Sequence, residues 1–181
     1  AASLAYGLGL SREEVKTIAV YDLGGGTFDI SVLRISGGIF EVLSTNGDTY
    51  LGGDDIDRTI VQHWAAEAGI TEDELRVHKN LSQELRLLAE AAKIALSSSE
   101  SYSGVVAEQA FSLTRQQLEH LIKPLVDRTI TCCINALKDA GLDTRDIDEV
   151  VMVGGSTRVP MVKNSVSTFF GKKVHDTLNP D

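Results

Sequence analysis

Residues 17–29 read T-I-A-V-Y-D-L-G-G-G-T-F-D, and this stretch decides how the chain is built. Its first part, Thr17 to Leu23, is a short apolar run rich in β-branched residues, which predicts a buried strand. Three glycines then force a turn, since glycine adopts backbone conformations that other residues avoid. A second strand, Phe28 to Ile35, follows directly. The pattern therefore predicts two strands joined by a glycine turn, with Asp22 and Asp29 on either side of it.

Beyond these strands, the spacing of apolar residues predicts one more strand and then a mainly helical middle. Gly37-Gly38 makes a hairpin into a third strand over Ile39 to Thr45, and Gly52-Gly53 ends this β section. Val150 to Val153 is another buried strand near the end of the chain. The expected helices are a stretch marked by Ile56, Ile60, Trp64 and Ala68, then Glu84 to Leu96, Thr114 to Gly141, and Arg158 to Phe170.

The long helical stretch carries its own boundary signals. Thr114 and Gln117 complete a capping box at its start, and Gly141 closes it. Pro124 should kink the stretch or split it in two, because proline removes a main-chain donor. The residues from Ser97 to Leu113 are interpreted as a short link. One apolar stripe runs along the stretch: Leu118, Ile122, Val126, Ile130, Cys133 and Leu137.

Composition narrows the class of protein. The 181 residues are 43% apolar and 24% charged, as in an ordinary globular domain rather than a disordered chain. No apolar run approaches the roughly 18 residues of a spanning helix, and a net charge of −9 argues against a nucleic-acid partner. Cys132 and Cys133 are adjacent, which disfavours a disulfide, and no Cys/His spacing resembles a zinc site. A reducing compartment, such as the bacterial cytoplasm or the mitochondrial matrix, fits this cysteine use.

The triple glycine between Asp22 and Asp29 is the first candidate site. Glycine N–H groups that no side chain shields can approach phosphate oxygens closely, and Thr27 adds a hydroxyl donor. The two carboxylates suit an indirectly held Mg²⁺ or the orientation of a water molecule. The alternative is a tight hairpin turn with no ligand.

A second candidate is Val153-Gly154-Gly155-Ser156-Thr157-Arg158. A strand, two glycines and the start of a helix make an anion or nucleoside site at a helix N-terminus. The stretch lacks the lysine of a Walker loop and does not have the spacing of a dinucleotide fingerprint. The alternative is a plain strand-to-helix turn that Ser156 caps.

A third candidate is one face of the helix expected over Glu84 to Leu96. At helical spacing, Glu90, Lys93 and Ser97 fall within about 60° of one another. Ile94 borders this polar face, where a branched apolar residue is unusual unless something flat packs on it. A solvated face with an i,i+3 ion pair is the alternative. The opposite, apolar face contains Leu85, Leu88, Ala92 and Leu96.

These motifs follow one another in an order that resembles the DnaK-type chaperones, the seventy-kilodalton heat-shock family, over essentially the whole chain. Asp22 to Asp29 is similar to the family's second phosphate loop. Residues 52–57, by themselves an acidic helix start, resemble its G-G-E-D-F-D motif, with Asp and Ile in place of Glu and Phe. Glu90-x-x-Lys93-x-x-Leu96-Ser97 and Val153 to Pro160 resemble its adenosine-binding elements, and Asn179-Pro180-Asp181 its closing turn.

The resemblance implies an α/β fold, half of an actin-like, ribonuclease-H-like ATPase domain with an inserted, mainly helical subdomain. Residues 1–51 and 126–181 would form the α/β subdomain beside the nucleotide cleft, and residues 52–125 a cap-like subdomain that clamps adenine. The chain would be a piece of a longer protein. The family's first phosphate loop, catalytic lysine and first-lobe Mg²⁺ aspartate would precede Ala1, and its peptide-binding domain would follow Asp181.

The resemblance also implies roles for individual residues. Asp22 and Thr27 would serve the γ-phosphate side, Asp22 by orienting water or Mg²⁺ and Thr27 as a hydroxyl donor. Asp22 and Asp29 would hold the metal indirectly, through water. The implied cofactors are ATP or ADP and Mg²⁺, with K⁺. The residues implied to bind nucleotide are Gly24, Gly25, Gly26, Thr27, Gly53, Asp54, Glu90, Lys93, Ile94, Ser97, Gly154, Gly155, Ser156, Arg158 and Asp181.

A narrower likeness is to the members of the family specialised for iron–sulfur cluster assembly. Residues 122–129, 136–141 and 151–153 carry it, together with the short link after Ser97 where housekeeping members have a longer insertion. The implied partners are client proteins, a J-domain co-chaperone, an iron–sulfur scaffold protein and a nucleotide-exchange factor, with no nucleic acid and no membrane. The open alternatives are a general folding chaperone, a module that only docks a co-chaperone or exchange factor, and a relative of sugar kinases or actin-like filaments.

Overall fold

The computed structural model describes residues 14–176. The sequence also predicts a helix over Ala1 to Gly7, and this helix and the closing turn at Asn179-Pro180-Asp181 lie outside the described residues. The elements of the described part are β1 (Val15–Leu23), β2 (Phe28–Ser36), β3 (Ile39–Asp48), α1 (Gly53–Ala68), α2 (Glu72–Val77), α3 (Lys79–Ala95), β4 (Ser101–Val106), β5 (Gln109–Thr114), α4 (Arg115–Ala140), β6 (Glu149–Val153), α5 (Pro160–Phe170) and β7 (Val174–His175), with 3-10 turns at Thr144–Asp146 and Gly155–Arg158.

The described chain divides into two compact units. Residues 14–53 and 126–176 form one, the sheet unit, which contains a mixed five-stranded sheet with the second part of α4 and with α5. Asp54–Leu125 form the other, the helical unit, which contains nearly all of α1, then α2, α3, a two-stranded hairpin and the first part of α4. The chain is therefore an α/β protein. No helix within residues 14–176 is both long enough and apolar enough to cross a lipid bilayer.

The sheet has the strand order β3-β2-β1-β6-β7. β1 pairs antiparallel with β2 and parallel with β6, and Asp22 lies opposite Val153 in the parallel pair. The central strands are buried on both faces, as Ile18 and Ala19 in β1 and Val150 in β6 are 0% exposed. Because parallel strands point the same way, the carboxyl ends of β1 and β6 lie side by side, the edge where open α/β sheets bind ligands.

The sequence predicted four of the five strands of this unit with small errors and missed the short strand β7. Gly37 and Gly38 form the expected hairpin, with φ angles of +59° and +78° that glycine adopts without strain. β3 continues beyond Thr45 to Asp48, although Asn46-Gly47-Asp48 has the composition of a turn. The hydrogen-bonded ladder with β2 continues as far as the pairing of Phe28 with Asp48. Pairing with β2 therefore outweighs the turn preference of these three residues.

The helical unit buries α1 and α3 as the spacing predicted. Ile60 and Trp64 of α1 are at most 1% exposed, and Trp64 Nε1 donates a hydrogen bond of 2.9 Å to the Ser112 carbonyl. Leu85 and Ala92 of α3 are fully buried. α3 begins at Lys79 rather than Glu84, and the short helix α2 before it was not predicted.

The main correction in this unit concerns the link after Ser97. Residues 101–114 form an antiparallel hairpin of β4 and β5 rather than a link without secondary structure. Its turn consists of Ala107 and Glu108, with φ angles of +50° and +65°. Glycine or asparagine usually occupies such left-handed positions, so the sequence carries no turn signal here.

α4 begins as predicted, but Pro124 does not split it. Thr114 and Gln117 form the capping box, with N–H to side-chain oxygen distances of 2.9 and 3.1 Å. The helix then runs unbroken through Pro124 to Ala140. Pro124 and His120, whose carbonyl the proline leaves without its helical donor, are both exposed, so water can satisfy that carbonyl. The alternative of two helices was therefore wrong.

Candidate functional site

Three glycine segments meet at the carboxyl ends of β1 and β6; we call Gly24–Gly26, Gly52–Gly53 and Gly154–Gly155 the glycine cluster. The Gly53 N–H donates a hydrogen bond of 2.8 Å to the Gly24 carbonyl. A Cβ added at Gly52 would lie 2.5 Å from the Gly25 oxygen, and one at Gly154 would lie 2.7 Å from the Leu23 carbonyl carbon. The segments are therefore in main-chain contact, which only glycine permits at these positions.

Other glycines of the cluster remain open. Gly25, Gly26 and Gly155 are exposed, and a Cβ at Gly26 or Gly155 would meet no atom within 4 Å. The turn is also the tight hairpin that the alternative proposed, since Leu23 pairs with Phe28 across it and the Gly24 N–H donates to the Thr27 carbonyl at 3.1 Å. The hairpin thus presents bare main chain to an incoming ligand, a surface suited to phosphate.

Asp22 and Asp29 face each other beside this turn. They are direct partners in the β1–β2 ladder, so their side chains emerge on the same face of the sheet. Burial, and to a smaller degree the charge of Asp29, raise the pKa of Asp22 above its ordinary value. A cation placed here would relieve that repulsion. Within residues 14–176 no three His, Cys, Asp or Glu side chains form a metal-ligand group, so the donor set fits an ion that keeps most of its waters, as Mg²⁺ does.

The second glycine turn differs from its prediction. Gly155–Arg158 form a 3-10 turn, and α5 begins only at Pro160, so the glycines do not lie at the N-terminus of an α-helix. No side chain caps either element, which also removes the proposed capping role of Ser156. Ser156 is buried and Arg158 is exposed. The physical reason is Pro160, whose fixed φ suits the first position of a helix.

The polar face of α3 lies where helical spacing placed it. Glu90 is exposed, Ser97 is half-buried, and Ile94 is 64% exposed beside them. The Ser97 hydroxyl donates to the Lys93 carbonyl at 3.4 Å. The opposite face packs inward, with Leu96 fully buried. An exposed branched side chain among polar groups is a surface on which a flat ring can pack.

Lys93 does not belong to a solvated face. Its Nζ lies 2.9 Å from Asp57 Oδ1 of α1, and the two side chains are only 13% and 3% exposed. Burial raises the pKa of Asp57, Lys93 opposes that rise, and the charges of Glu90 and Asp54 add to it. These four charged groups therefore lie close together in the helical unit.

Two residues of this region were missed from the sequence. Asp57 was interpreted as part of an acidic helix start and of the motif at residues 52–57, with no partner or role of its own. It falls at helical spacing from the buried residues Ile60, Val61 and Trp64, so a carboxylate on an apolar stripe was the available signal. Arg115 donates from Nε to the Leu96 carbonyl at 2.8 Å and from Nη1 to Glu100 at 3.0 Å. It thereby holds the end of α3, and no sequence pattern indicated that contact.

The predicted site residues fall into two groups, one in each unit. The helical unit brings Asp54, Glu90 and Lys93 together around Asp57, with Ile94 and Ser97 farther along α3. Asp181 lies outside the described residues. The sheet unit holds Asp22, Gly24, Gly25, Gly26, Thr27, Asp29, Gly53, Gly154, Gly155, Ser156 and Arg158.

An α/β sheet with bare glycine turns at the ends of parallel strands, and with carboxylates beside them, is typical of the class of proteins that bind phosphate. Residues 1–181, the whole chain, match the family model described as Hsp70 protein, and the chain belongs to the Hsp70 family. The predicted resemblance to the heat-shock chaperones is thereby confirmed.

Three similar proteins are each named chaperone protein HscA. The chain is 52% identical over its whole length to chaperone protein HscA of Pectobacterium carotovorum. It is 51% identical, again over its whole length, to the proteins of that name from Pectobacterium atrosepticum and Escherichia fergusonii. The chain spans 29% of the length of each of these relatives.

Proposed function

We propose that this chain is the second nucleotide-binding lobe of an ATP-dependent chaperone, in which it helps to hydrolyse ATP and so to drive cycles of client binding and release. Hsp70-family chaperones are ATPases. The observation that carries the proposal is the glycine cluster: two adjacent strand ends present bare main chain next to Asp22 and Asp29. The actin-like fold, and an α/β subdomain of residues 1–51 and 126–181 with a cap of residues 52–125, are part of the same proposal.

In the sheet unit, the open glycine N–H groups would donate hydrogen bonds to phosphate oxygens, and Thr27 would donate its hydroxyl. Asp22 would orient the attacking water, because the raised pKa of its half-buried carboxyl makes it a better proton acceptor than an ordinary aspartate. Asp22 and Asp29 would hold Mg²⁺ through water, and the ion would neutralise phosphate charge. K⁺ is proposed on the resemblance alone.

In the helical unit, α3 would bind the adenosine. Glu90, Lys93 and Ser97 would hydrogen-bond the ribose or the adenine edge, and the exposed Ile94 would pack on the ring. Ile94 supports this role, since burying an exposed aliphatic side chain against a ring is favourable. Gly53, Asp54, Gly154, Gly155, Ser156, Arg158 and Asp181 complete the proposed nucleotide-binding residues.

The partners are proposed from the family and from the names of the relatives. Client proteins, a J-domain co-chaperone, an iron–sulfur scaffold protein and a nucleotide-exchange factor would act with the longer protein. The HscA name of the relatives and the short segment between α3 and α4 favour iron–sulfur cluster assembly over general folding. A reducing compartment such as the bacterial cytoplasm fits the two free cysteines.

The hydrolysis proposal can be tested by exchanging segments. These 181 residues replace the matching segment of the Escherichia fergusonii relative, and Mg²⁺-dependent phosphate release from ATP is measured. Asp22→Asn keeps the shape of the side chain and removes its charge, so turnover should fall about 100-fold or more while ATP still binds. Asp139→Asn, at an exposed position of α4, is the matched control and should leave turnover unchanged. Equal turnover of the Asp22→Asn and parent chimeras would remove Asp22 from the mechanism.

By itself, the 181-residue chain should bind nucleotide weakly and hydrolyse none. Its net charge of −9 repels a polyanion unless Mg²⁺ and a cation from outside these residues offset it. We expect millimolar to high-micromolar binding, about −4 to −6 kcal/mol. Titration of Mg²⁺·ATP and of adenosine, with a phosphate-release assay, measures this. Submicromolar ATP binding, or turnover that survives repurification, would contradict the two-lobe proposal.

A further inference from the structure

The helical unit contains a buried charge that the proposed function does not use. Asp57 is 2% exposed and lies on the stripe of α1 that also buries Ile60 and Trp64. Its carboxylate is 2.9 Å from the Lys93 ammonium of α3. A carboxylate is seldom buried in a helix interface unless it has a specific partner, because removing its charge from water is costly.

We propose that Asp57 is a positioning residue for adenosine: its carboxylate fixes the Lys93 ammonium at one point on the face of α3, before any nucleoside arrives. The inference rests on the proposed adenosine role of that face. It adds that the position of the Lys93 ammonium depends on Asp57.

The flexibility of lysine supports this role. A lysine side chain has four rotatable bonds and carries about 2 kcal/mol of rotamer entropy, which a ligand must overcome if the ammonium is not already held. Trp64 is buried and donates a hydrogen bond to the Ser112 carbonyl, so the helix that carries Asp57 is packed against β5.

The electrostatics of Asp57 favour a functional role over a stabilising one. Burial raises the pKa of Asp57 despite the neighbouring Lys93, so its charge opposes folding of the unit. Perturbed groups of this kind gather at functional sites. The same argument predicts that Asp57→Asn folds, since it removes the charge and keeps the shape.

The test uses the 181-residue chain, with adenosine as the probe because it has no phosphate to engage the glycine cluster. Dissociation constants come from NMR titration of the wild type, Asp57→Asn, Lys93→Met and the double variant. Asp57→Asn and Lys93→Met should each weaken binding at least fivefold, and the double variant should be no weaker than Lys93→Met alone. Asp57→Glu, which retains a carboxylate, should stay within about twofold of the wild type. The control Asp73→Asn removes an exposed partner of Arg76 and should change nothing.

A second measurement needs no ligand. Lysine ¹⁵Nζ NMR reports whether the Lys93 ammonium is held, and its signal should broaden or vanish in Asp57→Asn but not in Asp73→Asn. An ordered ammonium in Asp57→Asn would overturn the inference, as would a further loss of affinity when Asp57→Asn is added to Lys93→Met. If Lys93→Met weakens adenosine binding and Asp57→Asn does not, the inference fails and the proposed adenosine role of α3 stands. If Lys93→Met does not change adenosine binding, the inference and the proposed adenosine role both fail.

Discussion

The sheet unit and the helical unit each contain a group of candidate site residues, and the two groups are built from different chemistry. The glycine cluster is made of main chain, and its segments contact each other where a single Cβ would overlap. The α3 face is made of side chains, with Lys93 reaching Asp57 of a neighbouring helix. Where two main-chain segments touch, a side chain cannot be added without disturbing the fold, whereas a site made of side chains can lose a functional group while the helices stay packed. The two units should therefore fail in different ways when they are mutated.

The largest expected effect is at Gly154 in the sheet unit. Gly154→Ala would force an L-residue to a φ of +97° and press its Cβ against the Leu23 carbonyl. Strained backbone and overpacking together should lower the free energy of unfolding by about 3–5 kcal/mol. Urea denaturation followed by circular dichroism measures the loss.

The neighbouring Gly155 supplies the matched control. A Cβ at Gly155 would meet nothing within 4 Å, and its φ is not in the left-handed region, so Gly155→Ala should change the free energy of unfolding by less than about 1 kcal/mol. Equal losses in the two variants would mean that the main-chain contact with Leu23 does not hold the cluster together.

The helical unit should respond to Lys93→Met in the opposite way. Methionine keeps the apolar stem and removes the ammonium, so the unit should stay folded. Nucleotide affinity in the segment-exchange chimera should fall by about 1–3 kcal/mol, mainly through faster release. Calorimetry with ADP measures this loss, and Lys79→Met, at the exposed first residue of α3, is the control. An unchanged affinity for ADP in Lys93→Met would show that Lys93 does not contribute to nucleotide binding.

The presence or absence of local sequence signals explains which parts of the fold could be predicted from the sequence. Local periodicity and turn chemistry determine the hairpin at Gly37-Gly38 and the capped start of α4, so both were predicted correctly. The hairpin of β4 and β5 was missed because Ala107 and Glu108 occupy its left-handed turn positions. α2 was missed because it has no buried residue and so shows no apolar period.

The site could be predicted where its motifs are local. Asp22 and Asp29 flank one short turn, and the structure pairs them across it. The contact of Asp57 with Lys93 joins two helices that are separated in the sequence. The local pattern of neither helix indicates which residue of the other it contacts. The shift of the α5 start to Pro160 depended on the preference of proline for the first helical position, which the pattern of apolar residues does not contain.

The smallest expected effect is on the pH dependence of the free energy of unfolding, which should differ in sign between a group in the sheet unit and one in the helical unit. In the sheet unit, burial would raise the pKa of Glu149, but hydrogen bonds from His175 at 2.5 Å and Lys16 at 3.2 Å outweigh it and lower the pKa. The stability from this group is present above its ordinary pKa of 4.5 and is lost as the pH falls through the lower folded value. Since the three side chains are partly exposed, the contribution should be about 0.5–1 kcal/mol.

Asp57 in the helical unit should show the opposite sign. Its folded pKa is raised above the ordinary 3.8, so its contribution to stability is present below that value and is lost as the pH rises through the folded pKa. Denaturation of the wild type, Glu149→Gln and Asp57→Asn across the acidic range measures both slopes. Relative to Glu149→Gln the wild type should lose stability as the pH falls, and relative to Asp57→Asn it should gain. Slopes of the same sign would show that Lys93 stabilises the Asp57 charge fully, and the buried pair would then be a structural ion pair like the one at Glu149.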